Sequence, residues 1–175
     1  GKTNFGSGEY AVLPDRIAAG TYMLAGVATG GKVTVNSIDP GTLKPLSLKL
    51  LEAGVIVEER ENSVRVEVSE RPKNLEVITL PFPGFPTDLQ APISSMLTLA
   101  KGKSVVKETV FESRFGHVAE LGKMGADISV TNSTTVFIKG KERLRGTEVE
   151  ATDIRAGAAL VIAGLAGEGE TEITG

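Results

Sequence analysis

The sequence predicts an α/β fold assembled from repeated βαβαββ units, and three observations lead there. The segments 14-PDRIAAGTYMLAGVATGGKVTV-35, 87-TDLQAPISSMLTLAKGKSVV-106 and 152-TDIRAGAALVIAGLAGEGETEI-173 share one pattern. Each has an Asp at a helix start (Asp15, Asp88, Asp153) and an Ala three places on (Ala18, Ala91, Ala156). An apolar helical face follows, then a glycine where helices stop and a short strand of Val, Thr or Ile. Second, 48-LKLLEAGVIVEERENSVRVEV-68 matches 120-ELGKMGADISVTNSTTVFIKG-140 with one residue of slippage: helix, Gly54 or Gly125, strand, polar turn, strand. Third, each unit has an opening strand: Glu9 to Leu13, 75-LEVITL-80 and 147-TEVEA-151.

Taken in order, the units span about 9–70, 74–140 and 147–175, one domain over 9–175 preceded by a linker or remnant at 1–8. The long helices should begin near Asp15, Asp88 and Asp153 and end near Gly30, Gly102 and Gly167. The stretch 156-AGAALVIAGLAG-167 reads as a buried helix. The third unit stops at Gly175 without its second helix and strand pair, which should leave apolar surface uncovered. A parallel, doubly wound sheet would contradict this reading.

Composition narrows the chemistry. The chain has 175 residues, enough for one sizeable core, and a net charge of -3 from 19 basic and 22 acidic residues, so nothing marks a nucleic-acid surface. No apolar run is long enough to span a bilayer. With no cysteine and one histidine, a disulfide framework, a thiolate nucleophile and a histidine-rich zinc site are excluded. The opening GKT lacks the spacing of a phosphate loop, and Gly6-Ser7-Gly8 lacks the strand and helix of a dinucleotide fingerprint, so no cofactor or metal is expected.

Candidate site residues cluster in two loops and one helix start. In 81-PFPGFPTDLQAP-92 the prolines fix φ and bias their predecessors toward extended backbone, so the loop ahead of Thr87 and Asp88 is pre-ordered. Asp88 then has two compatible roles. It is a helix N-cap, as Asp15 and Asp153 suggest, or a carboxylate held ready to act as base or hydroxyl acceptor. Capping is the simpler expectation. In 108-ETVFESRFGHVAEL-121, Glu112, Arg114 and His117 read as surface charges, although Arg114, flanked by Phe111 and Phe115, is a fork suited to carboxylate or phosphate. Arg155 stands in a first helical turn, where the dipole disfavours a cation, so it needs a partner.

The blocks 14-PDRIAAGTY-22, 83-PGFPTDLQAP-92, 108-ETVFESRF-115, 123-KMGADI-128 and 151-ATDIRAGAALVIAG-164 resemble the UDP-N-acetylglucosamine 1-carboxyvinyltransferase family of enolpyruvyl transferases. The resemblance runs from about Glu9 to the C-terminus. It implies an inside-out α/β barrel, each domain of which is three βαβαββ units around a pseudo-threefold axis. It also implies a cytoplasmic enzyme of peptidoglycan synthesis with a second, catalytic domain absent here, so that this chain alone would be inactive. The implied reaction transfers enolpyruvyl from phosphoenolpyruvate to the 3-hydroxyl of UDP-N-acetylglucosamine, releasing phosphate. By the resemblance, Asp88 matches the carboxylate that binds and deprotonates that hydroxyl, and Val110 a backbone contact to the nucleotide sugar. Arg114, Asp153 and Arg155 match residues near the phosphoenolpyruvate site or its closure network. Ser113, Gly116 and Gly157 depart from the family's frequent Asn, Met and Ser, and Ser113 could loosen the Arg114 loop. The alternatives are the related transferase acting on shikimate 3-phosphate, and a non-catalytic α/β scaffold binding a protein partner.

Overall fold

The computed structural model describes residues 6–175. The expectation for Gly1–Gly8 thus lies partly outside the described residues. In chain order the elements are α1 (Arg16–Ala28), β1 (Lys32–Asn36), α2 (Lys44–Glu52), β2 (Ile56–Arg60), β3 (Ser63–Glu67) and β4 (Glu76–Ile78). Then come α3 (Gln90–Leu97), β5 (Lys103–Lys107), α4 (Gly116–Lys123), β6 (Asp127–Asn132), β7 (Thr135–Lys139), β8 (Glu148–Glu150), α5 (Ile154–Ala166) and β9 (Glu172–Thr174). Short 3-10 turns at Pro40–Leu43 and Thr87–Leu89 lead into α2 and α3.

Two of the sheets share a core motif. The first has order β1-β3-β2 and is antiparallel throughout; the second has order β4-β5-β7-β6, with β4 parallel to β5 and the other pairs antiparallel. A two-stranded parallel pair, β8-β9, makes the third. The hairpins pair Arg60 with Ser63 and Asn132 with Thr135, at the polar turns read from the sequence. Gly54 and Gly125, each just past a helix, have φ of 84° and 88°, a left-handed conformation that suits glycine. No doubly wound parallel sheet is present among the described residues.

One predicted strand is missing. Glu9 to Leu13 has no ladder, and Tyr10, Val12 and Leu13 lie exposed. Among the described residues β1 pairs with β3 alone, and no strand lies at its other edge. Strand propensity follows from packing against neighbours, and here there is neither ladder nor covering layer.

At the centre α1, α3 and α5 pack against one another. Met23, Leu24 and Val27 of α1, Ile93, Met96 and Leu97 of α3, and Ile162 of α5 join one buried cluster. All of Gln90–Leu97 is buried, and small residues allow close approach: the Ser95 hydroxyl donates to the Ala159 carbonyl at 2.7 Å. The C-terminal ends of the three helices line one cavity of about 400 Å³ through Val27, Met96, Leu99 and Ala166, so the helices run in the same direction. Their N-terminal ends, with Asp15, Asp88 and Asp153, therefore gather at the opposite face. α5 is not the fully buried helix expected, since Ile154, Val161 and Leu165 form an exposed stripe. The spacing of these residues puts them on one helical face that nothing among the described residues covers.

His117 is not a surface group either. It is the second residue of α4, which turns it inward with Val118 and Leu121, and it is 1 % exposed. Its ring lies 6.4 Å from that of Phe115, and Nε2 has no hydrogen-bond partner among the described residues. Burial disfavours the imidazolium, only partly offset by the charge of Asp153, and pushes the pKa from 6.5 down to about 4. Above pH 6.5 the ring is neutral in both folded and unfolded chains, so it carries no pH-dependent penalty. Between 6.5 and 4 only the unfolded chain takes up the proton, and stability falls with pH. A shift of this size corresponds to about 3 kcal/mol, complete near pH 4. Urea unfolding at steps from pH 7 to 4 should show this loss in the parent and a flatter curve for His117→Phe. Equal slopes for the two proteins would show that the ring is charged, or not buried, in the folded chain.

Candidate functional site

The site is built from the end of β5 outward. Along β5, Ser104 and Val106 face the core, and the period of two carries the same parity to Glu108, just past the strand. Glu108 is 0 % exposed. Its Oε1 accepts from the Thr79 hydroxyl at 2.6 Å, from Val110 N–H at 2.8 Å and from Phe111 N–H at 3.2 Å. Its Oε2 accepts from the Thr87 hydroxyl at 2.8 Å. Thr79, past the end of β4, in turn accepts from Thr109 N–H at 2.9 Å, and the Thr109 hydroxyl donates to the Thr79 carbonyl. One buried carboxylate thus joins the end of β4, the entrance to α3 and the loop after β5.

The proline loop is closed on itself. Leu80 N–H donates to the Phe85 carbonyl at 2.9 Å, and Gly84 N–H to the Pro81 carbonyl at 2.8 Å. Phe85 and Pro86 are buried, and the Arg16 guanidinium stacks 5.3 Å from the Phe82 ring centroid, tying the loop to α1. A Cβ on Gly20 would lie 2.6 Å from Leu89 Cδ1, so α1 also presses on the turn that carries Asp88.

Asp88 does not cap its helix. The 3-10 turn starts at Thr87 with no side-chain cap, and the same holds for α3 behind it. The cap expectation holds at the other two positions. Asp15 Oδ1 accepts from Ile17 N–H at 2.8 Å and Ala18 N–H at 3.1 Å; Asp153 Oδ1 accepts from Arg155 N–H at 2.7 Å and Ala156 N–H at 3.2 Å. At Asp88 two guanidinium groups take the carboxylate instead. Arg155 Nε donates to Oδ1 at 2.6 Å and an Arg114 terminal nitrogen donates to the same oxygen at 3.1 Å. Among the described residues Oδ2 has no donor, and the side chain is 42 % exposed. Burial would raise the pKa of Asp88, but hydrogen bonds and charge from Arg155 and then Arg114 outweigh it and hold the carboxyl below its ordinary 3.8. The group is ionised at neutral pH.

Arg114 is oriented from three sides. Its guanidinium lies 3.7 Å from the Phe111 ring centroid, donates to the Thr87 hydroxyl at 3.1 Å and donates to Asp88. Arg155 has the partner its helix position demands, and a second carboxylate, Asp153, 3.8 Å away. Asp88, Arg114, Asp153 and Arg155 therefore come together. Val110 borders them at the loop after β5, with its N–H engaged by Glu108. Glu112 stays exposed on the same loop. Sequence reasoning missed Glu108, Thr79 and the structural use of Thr87. The strand parity of Val106 and Glu108 was the available signal.

The three departures have different consequences. Ser113 sits at φ 59°, a left-handed position that Asn tolerates better than Ser. A Cβ on Gly116 would lie 2.4 Å from Thr152 Oγ1, so a larger residue would require Thr152 to turn. At Gly157 a Cβ would meet only Ala151 Cβ at 3.5 Å, and nothing in the structure demands glycine there.

The chain is similar to UDP-N-acetylglucosamine 1-carboxyvinyltransferase of Clostridium botulinum, 53% identical over 166 residues, 95% of this chain and 40% of that protein. UDP-N-acetylglucosamine 1-carboxyvinyltransferase 3 of Symbiobacterium thermophilum is 54% identical over 164 residues, 94% of this chain and 38% of its own length. The chain thus spans about two fifths of the curated relatives it matches. Among solved structures, the enolpyruvyl transferase NikO from Streptomyces tendae superposes with a TM-score of 0.82 at 29% identity, over 93% of this chain and 39% of that one. EPSP synthase from Acinetobacter baumannii shares the fold, with a TM-score of 0.72 at 22% identity over 95% of this chain and 40% of its own. The matching family model covers residues 1–175, and the chain belongs to the family it describes, EPSP synthase (3-phosphoshikimate 1-carboxyvinyltransferase).

Proposed function

We propose that this chain forms one wall of an enzyme that transfers enolpyruvyl from phosphoenolpyruvate to the 3-hydroxyl of UDP-N-acetylglucosamine, in the cytoplasmic synthesis of peptidoglycan. The observation that carries the reading is the Asp88 carboxylate, left uncapped and held by Arg114 and Arg155 through one oxygen only. Oδ2 is then open to accept the hydrogen bond of a sugar hydroxyl and, as the new C–O bond forms, its proton. The hydroxyl oxygen adds to the phosphate-bearing carbon of phosphoenolpyruvate while the methylene carbon takes up a proton and becomes a methyl group. Loss of phosphate from the tetrahedral adduct, with loss of a proton from that methyl group, then re-forms the double bond and leaves the enol ether. In this proposal Val110 meets the nucleotide sugar through its backbone, and Arg114, Asp153 and Arg155 border the phosphoenolpyruvate. The relatives at about half identity carry the sugar-nucleotide name, which supports this acceptor over shikimate 3-phosphate.

The same proposal extends to architecture. Residues 9–175 form a single domain of the inside-out α/β barrel, with units at about 9–70, 74–140 and 147–175. The α2 and α4 helices occupy two of the grooves around the central helices. A further segment of the complete protein covers the stripe of Ile154, Val161 and Leu165. A second domain, with a cysteine-bearing loop and the phosphate-gripping lysine and arginines, closes the cleft, and this chain alone is inactive.

Asp88→Asn in the complete protein should lower turnover by a factor on the order of 10² or more, the scale of general acid–base catalysis. Asp15→Asn keeps the cap at the start of α1 and should leave turnover near the parent. Equal turnover in the two variants would remove Asp88 from the chemistry. The two should also differ in acid. The Asp88 ion pairs contribute stability above pH 3.8 that is lost as pH falls through the lowered folded pKa, and Asp88→Asn should lack that step. Its size is small, because the carboxylate is well exposed to screening water. Unfolding measured between pH 5 and 2 checks the sign.

A further inference from the structure

We infer that Glu108 is a positioning residue for the proposed reaction, the buried carboxylate that sets the direction of the Thr87 hydroxyl and through it the Arg114–Asp88 pair. The inference rests on the function proposed above.

The argument starts from why an acid should stand there at all. A fully buried carboxylate is costly, and an apolar or amide side chain of similar size would usually serve packing as well or better. What an acid offers is acceptor capacity without any donor. Oε1 takes three donors, from Thr79, Val110 and Phe111, which would satisfy a carbonyl oxygen equally. The need for a carboxylate lies at Oε2, whose one donor is the Thr87 hydroxyl at 2.8 Å. A hydroxyl has one proton. Once it points at Glu108, the oxygen lone pairs are free to face Arg114, which donates to them at 3.1 Å. The Arg114 terminal nitrogen that touches Thr87 also reaches Asp88 Oδ1 at 3.1 Å. Glu108, Thr87, Arg114 and Asp88 thus form one directed chain of hydrogen bonds.

Removing the acceptor at Oε2 frees the Thr87 proton to rotate toward Arg114, where it opposes a donor. In Glu108→Gln the carbonyl must stay at the corner with three donors, which sets the NH₂ against Thr87 and leaves that hydroxyl without its acceptor. Arg114 then loses an anchor, and Asp88 is held by Arg155 alone. Thr87→Val breaks the same chain one link later while leaving three of the four Glu108 donors in place. Thr87→Ser retains the hydroxyl.

The test reads the Asp88 carboxyl directly, by carbon-detected NMR titration of the complete protein, beside kcat and KM for both substrates. Glu108→Gln and Thr87→Val should each move the Asp88 titration to higher pH and lower kcat by a factor on the order of 10², the scale of a misplaced group near the chemistry. Thr87→Ser should restore both, and the double variant should be no worse than the worse single one. An unmoved Asp88 titration in Thr87→Val overturns the inference, even if Glu108→Gln does not fold. So does a moved titration with unchanged kcat, or Thr87→Ser behaving as Thr87→Val. If the parent protein shows no enolpyruvyl transfer, the functional reading itself fails, whereas the titration still reports whether Glu108 governs Asp88.

Discussion

The contact between α3 and α5, where the Ser95 hydroxyl reaches the Ala159 carbonyl at 2.7 Å, determines where the chemistry-bearing residues lie. Ser95, Ala159 and Ala163 are small enough for two backbones to approach closely, and the two helices run in the same direction. Their first turns therefore lie side by side, which is how Arg155 comes within 2.6 Å of Asp88, 67 residues away in sequence. A slip of one helical turn, about 5.4 Å, would part that pair. Helix packing and site geometry are the same constraint seen from two ends.

Around that contact the electrostatics are arranged asymmetrically. Both guanidinium groups converge on one oxygen of Asp88, and Asp153, the other nearby carboxylate, is occupied in capping α5. The lowered pKa of Asp88 makes it a ready acceptor and a weak base. Such a group suits a reaction in which the proton moves late, as bond formation acidifies the hydroxyl, rather than one that begins with full deprotonation.

The central helices and the hairpins were legible because their signals are local. Asp15 and Asp153 cap the helices they precede, and Gly54 and Gly125 close shorter ones. Each of those signals spans a few residues. The misreadings all concern partners distant in the chain. Asp88 resembles its two counterparts in sequence, but Arg114 and Arg155 compete for its carboxylate across 26 and 67 residues. His117 sits among charged neighbours in sequence, yet α4 rotates it into the core. The stretch from Glu9 to Leu13 has strand-like residues, but a strand exists only where a neighbour supplies the ladder. Asp88, Arg114 and Arg155 stood out from their own chemistry, Val110 and the site role of Asp153 only through resemblance, and the arrangement of all five became visible only with the fold.

The open edge of β1 has a consequence for handling the molecule in solution. β5 and β9 each have a parallel companion, whereas one side of Lys32–Asn36, without a strand partner among the described residues, presents a row of N–H and C=O groups. Val33 and Val35 alternate with polar residues along that row, so a second strand could dock and extend the sheet by one. Lys32 at one end is a gatekeeping charge, although Glu67 partly neutralises it at 3.5 Å. Pairing through that edge would grow with concentration, and added salt would act on it only as far as the residual charge of Lys32 repels a second copy.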